Sequence, residues 1–512
     1  MRSRHAVRLL VCFLLLCSCA LAQSAAGRIR FKVTFQPADG KPASGRLLVF
    51  MSRNPPQGGR VQPGLGEDSA VWIASRDVYY AKPGATIDLD PDQLAVPKPF
   101  SQAPAGKYWI MPLLDVDGNA AYTTFSPGDQ LADAVAFENL DPGKAGEIPL
   151  AITKRIPQPR AAAATGNVVV EDFVSPALSK FWGRKIHIKA VVVTPPEYKK
   201  SGARYPAVYV NHGFGANLQY LQQTARGHLS RMNGGDAPPM IYVLLLQEFP
   251  TGTHEFADSV NNGPWGHALT AEFIPYLERK YRMDARPSGR LLTGHSSGGW
   301  ATLWLQVAYP DFFGGSWATS PDPVDFRHFT GPDLTARPPQ NFYRRPDGTP
   351  WMLVRMGGKD VMSLEDYARQ ERVMGSYGGQ MASFEAVFSP RGVDGTPMQL
   401  FHRETGAIDP AVASYWERYD ISRILRTRWK KLRPLLDGKI HIIVGSQDTF
   451  HLEESVRLLE QEAKKLGASM TFEYREGRDH FNLYEGGLAE RIAKEMYKVA
   501  RPKAKAASAA GQ

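Results

Sequence analysis

The sequence predicts an α/β domain preceded by an all-β module. From residue 167 onward, short apolar segments alternate with segments of helical periodicity, which is typical of a largely parallel sheet flanked by helices. Ahead of that point, short alternating segments are separated by glycine and proline turns, a pattern that favours a β-sandwich. A chain of 512 residues is long enough for two or three such domains.

Residues 1–22 are typical of a secretory signal peptide, with three arginines before a short apolar stretch and an Ala20-Leu21-Ala22 cleavage site. We expect the mature chain to start at Gln23. The alternative is lipidation at Cys19, because the residues around it loosely resemble a bacterial lipobox. All three cysteines lie in this leader, so the mature chain has no thiol for a disulfide or a metal. An exported protein without disulfides fits a bacterial periplasm or exterior.

Composition excludes some classes of function. The formal net charge is +10, and three of those charges are leader arginines. The remaining basic residues are scattered, without the basic face interleaved with aromatics that nucleic-acid binders carry. No later stretch approaches 18 consecutive apolar residues, so no membrane span is expected. We therefore predict neither a nucleic-acid partner nor a membrane-spanning segment.

The all-β module is expected over residues 27–156. Residues 29–35 alternate apolar and polar side chains, and 45–51 and 107–114 are further predicted strands. No catalytic constellation stands out here, so a binding or packing role is the default. Residues 154–166 have the proline- and alanine-rich composition of a linker.

The α/β domain is expected over residues 167–500, with the Lys/Ala-rich 501–512 as a disordered tail. Its predicted strands include 207–211, 240–246 and 439–444, and a helix is predicted over 269–281.

Residues 321–436 are a long insertion rich in aromatics, prolines and glycines. Large aromatics in excess of what a solvated loop needs predict either a lid that lines a pocket or a self-contained subdomain core. The aromatics in question are Tyr343, Trp351, Phe401, Tyr415 and Trp416.

The most informative stretch is Thr293-Gly294-His295-Ser296-Ser297-Gly298, a G-x-S-x-G motif between an apolar segment and a helix-compatible one. This is the strand–turn–helix context of a nucleophile elbow, in which a strained turn raises the serine hydroxyl above the sheet. Side chains at Gly294 and Gly298 would clash across so tight a turn. Ser296 is therefore the candidate nucleophile, and a plain glycine-rich loop is the alternative.

A serine nucleophile needs a base and a residue that orients the base, and in the α/β-hydrolase order both follow the serine. Among the downstream histidines, His480 lies in a loop after the last predicted strand, where this fold presents its base. Asp448 follows the preceding strand and is the predicted acid. Asp360 has similar surroundings and is the alternative acid.

The oxyanion hole needs two backbone N–H groups. The first is expected from Ser297, which follows the nucleophile at a helix N-terminus. The second is expected from Phe214, because Asn211-His212-Gly213-Phe214-Gly215 directly follows an early strand. We interpret His212 as a structural residue of this loop.

Taken together, these motifs resemble the esterase family of α/β hydrolases that includes S-formylglutathione hydrolase, feruloyl and acetyl-xylan esterases, enterochelin esterases and mycolyltransferases. The residues carrying the resemblance are 205–215, Gly263-Pro264-Trp265-Gly266, 294–300 and the Asp448/His480 pair. The resemblance covers roughly residues 181–497. The 152 residues that separate Ser296 from Asp448 depart from it, since one strand and one helix need far fewer.

The sequence therefore predicts an exported serine esterase that acts through an acyl-enzyme on a small-molecule or polysaccharide-linked ester. No metal or organic cofactor is implied. Alternatives are a peptidase or an acyltransferase on the same triad, and a binding protein with a vestigial site. The sequence identifies neither the acyl group nor the alcohol, and it does not predict the oligomeric state.

Overall fold

The chain divides into two units in the computed structural model, which describes residues 27–37, 39–64, 71–158, 166–375 and 378–503. Within these ranges the first unit comprises 27–120, 124–158 and 369–375, and the second comprises the remainder. The predicted leader with its alternative lipidation site, and tail residues 504–512, lie outside the described residues.

The first unit contains two sheets. One has the strand order β4-β1-β9, and the other has the order β10-β7-β6-β2-β3-β5 with β8 paired to β6. The strands predicted at 29–35, 45–51 and 107–114 correspond to β1, β2 and β6. The strands are β1 (Arg30–Phe35), β2 (Ala43–Ser52), β3 (Val71–Ala81), β4 (Thr86–Leu89), β5 (Ala95–Val96), β6 (Gly106–Asp115), β7 (Gln130–Leu131), β8 (Val135–Leu140), β9 (Glu147–Ile152) and β10 (Lys154–Arg155).

Alternation explains how β1 joins the core of this unit. Phe31, Val33 and Phe35 are fully buried, while the residues between them remain partly exposed. Successive side chains of a strand point to opposite faces, so one face of β1 is apolar. Phe31 packs edge-on against Phe100, with ring centroids 5.9 Å apart.

The second unit is built on an eight-stranded sheet with the order β11-β12-β14-β13-β19-β20-β23-β24. β12 runs antiparallel to its neighbours β11 and β14, and the strands from β14 to β24 pair in parallel. The sheet strands are β11 (Val168–Val174), β12 (His187–Val193), β13 (Ala207–Asn211), β14 (Ile241–Leu245), β19 (Arg290–His295), β20 (Gly315–Thr319), β23 (Ile440–Gly445) and β24 (Thr471–Arg475). The short pairs between them are β15 (Glu248–Phe249), β16 (Gly252–Thr253), β17 (Asp258–Ser259), β18 (Gly263–Pro264), β21 (Met352–Met356) and β22 (Lys359–Ser363).

The helices are α1 (Ala120–Thr123), α2 (Pro176–Trp182), α3 (Leu218–Asn233), α4 (Trp265–His267), α5 (Ile274–Lys280), α6 (Ser297–Ala308), α7 (Leu364–Met374), α8 (Gln380–Phe388), α9 (Pro410–Trp416), α10 (Ile421–Leu436), α11 (Leu452–Leu466) and α12 (Leu488–Ala500). Among the described residues, none of the helices has the length and apolarity that a bilayer crossing requires.

Both faces of the large sheet are covered, which explains its continuously apolar strands. On β13, Ala207 and Tyr209 contribute to one hydrophobic cluster, and Val208 and Val210 contribute to another. This arrangement, with the elbow at the end of β19, is an α/β-hydrolase fold, and the unit ahead of it is rich in β-structure, as the sequence predicts.

One predicted helix is interrupted. Residues 269–281 are predicted as a single helix, but a π-helical segment spans Ala268–Phe273 between α4 and α5. Pro275 lies in the first turn of α5. Because proline has no N–H to donate, the regular hydrogen-bond pattern cannot continue across this point.

Candidate active site

Ser296 lies in the turn between β19 and α6, where the sequence predicts a nucleophile elbow. Its backbone has φ 60° and ψ −128°, a combination that is uncommon and strained for a residue with a side chain. Such strain persists only where the surrounding structure enforces it. The local backbone is therefore that of a nucleophile elbow.

The flanking glycines are required by close backbone contacts. A Cβ atom at Gly294 would lie 2.1 Å from the carbonyl oxygen of Gly298. A Cβ atom at Gly298 would lie 2.3 Å from the carbonyl oxygen of Asn211. These backbone atoms cannot move far enough to relieve such a clash, so only glycine fits at either position.

His480 and Asp448 form a buried pair. Asp448 follows β23 and His480 follows β24, and these strands are parallel neighbours whose carboxyl ends meet at one edge of the sheet. His480 Nδ1 and Asp448 Oδ2 are 2.9 Å apart, and both side chains are almost completely buried. The elbow of Ser296 lies at the same edge, because β19, β20 and β23 are also parallel neighbours.

The pair shifts the pKa of both of its members. Burial by itself raises the pKa of Asp448, but the charge and hydrogen bond of His480 outweigh it, and the net pKa is lowered. Burial by itself lowers the pKa of His480, but the charge and hydrogen bond of Asp448 outweigh it, and the net pKa is raised. Such a pair stabilises a protonated imidazole, which a general base must become.

The predicted oxyanion residues lie beside the elbow. Ser297 is the first residue of α6, so its N–H has no partner within the helix. The loop bearing Phe214 approaches closely, because a Cβ atom at Gly213 would lie 3.2 Å from Ser296 Cβ. The Phe214 ring packs edge-on against Tyr122, which groups with this unit and donates to the Ala216 carbonyl at 3.0 Å.

Asp322 contacts the nucleophile, and the sequence analysis missed it. Its Oδ1 accepts a hydrogen bond from Ser296 Oγ at 3.4 Å, and its Oδ2 accepts one from Ser297 Oγ at 2.6 Å. The signal was its position in Ser320-Pro321-Asp322, directly after β20, the strand next to the elbow. A polar residue at the carboxyl end of an adjacent parallel strand belongs to the same edge of the sheet.

A family model described as "Putative esterase" matches residues 179–491, which is more than half of the chain. The chain belongs to this esterase family.

Two curated relatives of the chain are distant. Esterase Rv1288 and Esterase MT1326, from two strains of Mycobacterium tuberculosis, are each 29% identical over 128 residues, which is 24% of this chain and 26% of theirs. The chain thus spans about a quarter of the length of the curated relatives it matches.

Two solved structures are similar at low identity. A ferulic acid esterase has 14% identity and a TM-score of 0.42, covering 65% of this chain and 98% of its own. An S-formylglutathione hydrolase from Agrobacterium tumefaciens has 14% identity and a TM-score of 0.39, covering 66% of this chain and 97% of its own.

The other polar candidates of the esterase lie elsewhere. Asp360, the alternative acid, is 3.1 Å from His451 Nε2 rather than beside His480. His441, a downstream histidine on β23, stacks on Trp317 of the adjacent strand β20, with ring centroids 4.6 Å apart. The ring of His212 is buried in its loop, where burial lowers its pKa to about 4, so it stays neutral at physiological pH.

The aromatics of the insertion mostly form a core. Trp416 is buried against Phe388, with ring centroids 5.2 Å apart. Phe401 stacks on Phe342 at 4.0 Å and meets Tyr343 edge-on. For Trp416, Phe401 and Tyr343 the packing therefore favours the subdomain core over a pocket lining.

One acidic trio in the first unit has ligand atoms close enough to share a cation, namely Asp115, Asp117 and Asp129. Asp115 already accepts backbone N–H groups of Gly118 and Ala120, and Asp129 accepts that of Ser126. Burial raises the pKa of Asp129 to about 7. These bonds account for the trio as a set of turn-capping residues.

Proposed function

We propose that this esterase hydrolyses its substrate through a Ser296–His480–Asp448 triad and an acyl-enzyme. The observation that carries the proposal is the buried His480–Asp448 pair at 2.9 Å, located at the same sheet edge as the strained Ser296. An alcohol hydroxyl is a weak nucleophile, so it needs a base that is itself held in one tautomer.

In the first half-reaction Ser296 Oγ attacks the ester carbonyl carbon while His480 Nε2 accepts the hydroxyl proton. Asp448 keeps the Nδ1 proton in place and stabilises the imidazolium. The carbonyl oxygen becomes an oxyanion that accepts hydrogen bonds from the Ser297 and Phe214 N–H groups. Collapse breaks the bond to the alcohol oxygen, which takes the proton from His480 and leaves.

In the second half-reaction a water molecule replaces the alcohol. His480 removes its proton as the oxygen attacks the acyl carbon. The second tetrahedral intermediate uses the same two N–H donors, and its collapse returns the proton to Ser296 Oγ. The products are the free acid and the original enzyme.

Labelling by a fluorophosphonate tests this proposal. Wild-type protein should become covalently labelled at Ser296, and Ser296→Ala should lose both label and hydrolysis of p-nitrophenyl acetate. The loss should be on the order of 10⁴-fold or more, since triad members act as a unit. Near-normal hydrolysis by Ser296→Ala would refute the proposal, and Ser288→Ala, away from the elbow, serves as the matched control.

The substrate class is proposed as a small-molecule or polysaccharide-linked ester. A panel of p-nitrophenyl, feruloyl, acetyl-xylan and siderophore esters, assayed with wild type and Ser296→Ala, would rank the acyl and alcohol groups. An amide substrate of matched structure would separate an esterase from a peptidase.

We also propose that the enzyme is exported to the periplasm or the exterior. The pattern of residues 1–22 supports this proposal. Expression of the full chain in a bacterial host, followed by N-terminal sequencing, should give Gln23 as the first residue. Radiolabelled fatty acid incorporated at Cys19 would instead indicate a lipid anchor.

A further inference from the structure

Asp322 binds the elbow through three hydrogen bonds. Its backbone N–H donates to the Ser296 carbonyl oxygen at 3.2 Å. Its carboxylate accepts from the hydroxyl groups of Ser296 at 3.4 Å and Ser297 at 2.6 Å. One residue therefore holds both the nucleophile and the residue whose N–H is placed in the oxyanion hole.

The hydrogen bonds of Asp322 help to hold the strained backbone of Ser296 in place. Ser296 has a strained backbone with φ 60°, and a strained conformation persists only where surrounding contacts over-determine it. The Ser296 N–H donates to the Thr319 carbonyl at 3.0 Å, so the neighbouring strand end holds the serine from one side. Asp322, three residues further along, holds it from the other.

The same carboxylate is tied to the insertion. Gln380, the first residue of α8, donates from Nε2 to Asp322 Oδ2 at 3.1 Å and lies 3.4 Å from Ser297 Oγ. The side chain of Asp322 is almost completely buried. A movement of α8 would therefore reach the elbow through Gln380, both by way of Asp322 and at Ser297 itself.

The titratable groups that face Asp322 are His480, Asp448 and Glu255. His480 itself also faces His295, with ring centroids 4.4 Å apart, and the carboxylate of Asp479. Glu255 is fully buried, and its carboxyl oxygens have no hydrogen-bond partner among the described residues. Burial raises the pKa of Asp322 to about 6, and the charge of Asp448 adds to the rise, while the bonds from Ser297 and Gln380 oppose it. At neutral pH Asp322 is thus mostly ionised, and its charge helps to raise the pKa of His480.

We propose that Asp322 is a positioning residue of the esterase site: its carboxylate fixes Ser296 and Ser297 against Gln380, and its charge tunes the base His480. The inference deepens the proposed triad and rests on it. It assigns two separable effects to one residue, a geometric one carried by hydrogen bonds and an electrostatic one carried by charge.

Substitutions separate the two effects. In Asp322→Asn the amide oxygen can still accept from Ser297 and Gln380, and the amide nitrogen can donate to Ser296 Oγ, so geometry is largely kept and charge is lost. In Asp322→Ala both are lost. In Gln380→Ala the tie to α8 is lost while the charge of Asp322 remains.

The experiment measures kcat/KM for p-nitrophenyl acetate from pH 4.5 to 9 in the full chain, with fluorophosphonate labelling and thermal melts in parallel. Removing the negative charge lowers the pKa of His480. The acid limb of the kcat/KM profile, where activity falls as His480 becomes protonated, should therefore move to lower pH by about 0.3–1 unit in Asp322→Asn. Its plateau should stay within about 10-fold of wild type, while Asp322→Ala should lose about 10²-fold. Gln380→Ala should lower the plateau with little movement of the acid limb.

Asp394→Asn is the matched control. Asp394 is an exposed carboxylate of the same insertion, and within the described part of the chain its hydrogen bonds are with Thr396 of its own turn. An unmoved acid limb in Asp322→Asn, or a plateau in both Asp322 variants equal to wild type, would overturn the inference while leaving the triad intact. Wild-type protein that neither labels nor hydrolyses would overturn the triad and the inference together. If Asp322→Ala does not fold, the position of the acid limb in the pH profile of Asp322→Asn is sufficient to test the inference.

Discussion

Asp448→Asn should inactivate the enzyme by imposing the wrong tautomer on His480. Asp448 Oδ1 accepts the Phe450 N–H at 2.9 Å, and Oδ2 faces His480 Nδ1 at 2.9 Å. An asparagine at this position must keep its oxygen toward the Phe450 N–H, because an N–H cannot donate to an NH₂ group. Its nitrogen then faces Nδ1 and donates to it, so the imidazole proton moves to Nε2.

An imidazole protonated at Nε2 cannot accept the serine proton. The expected loss in kcat is on the order of 10⁴-fold, the size expected when the base of a serine hydrolase is held in the wrong tautomer. Residual activity should have its acid limb at lower pH. The charge of Asp448 opposes the effect of burial on the pKa of His480, and without that charge burial lowers the pKa.

The assay is the pH dependence of kcat/KM for p-nitrophenyl acetate, with the rate of fluorophosphonate labelling and a thermal melt as companions. Asp360→Asn is the control, because Asp360 is an alternative acid that pairs with His451. Activity of Asp448→Asn within about 10-fold of wild type would refute the tautomer argument. A severe loss in Asp360→Asn instead would show that Asp360 is the acid of the triad.

Two further substitutions probe the surroundings of the nucleophile. In Gly213→Ala the new Cβ would lie 3.2 Å from Ser296 Cβ and 3.3 Å from the His295 carbonyl oxygen. The resulting shift of a few tenths of an ångström should slow turnover about 3–30-fold. Gly227→Ala is the control and should not slow turnover, because its Cβ meets open space. Equal rates for the two variants would contradict this reasoning. In Glu255→Gln the melting temperature should rise relative to wild type at pH 8 but not at pH 4. Burial and the charge of Asp322 raise the pKa of Glu255 well above its usual 4.5, so wild-type stability falls as pH increases from that value toward the folded pKa. A variant less stable than wild type at pH 8 would argue against a neutral buried carboxyl.

The sequence could predict the parts of the site that depend on residues close to one another in the chain. The elbow requires glycines on both sides of Ser296, and those requirements follow from backbone contacts within a few residues. His480 and Asp448 each follow an apolar strand, and parallel strands bring their carboxyl ends to one edge. The fold class could be predicted for the same reason, since strand and helix periodicities are local properties.

The parts that could not be predicted depend on contacts distant in the chain. The position of Asp322 directly after β20 indicates the edge of the sheet on which it lies, but its proline-flanked turn is typical of an ordinary loop. Its contacts are not local, since its bond to Gln380 joins residues 58 positions apart. Glu255 is polar, and polarity alone predicts exposure rather than complete burial.

The aromatics of the insertion illustrate the same limit. Phe401 and Phe342 are separated by a long stretch of chain, yet they stack face to face at 4.0 Å. Composition shows that large rings are present but not whether they face each other or a substrate.

The insertion leaves the sheet after β20 and returns at β23, and these two strands are adjacent, with Ser316 opposite Ile440. Because the two strands are parallel, the insertion leaves at the carboxyl end of β20 and returns at the amino end of β23. Its two attachment points therefore lie on adjacent strands, one strand length apart, whatever lies between them. A longer insertion destabilises the fold only slightly, because each doubling of the length of a closed loop costs about 0.6 kcal/mol of closure entropy. Such a junction permits one segment to be exchanged for another during evolution while the strand ends that carry the catalytic groups stay in place. A chimaera joined after Asp322 and before Ile440 would keep the side chain that contacts the elbow, and its ester ranking would show whether substrate preference moves with the segment.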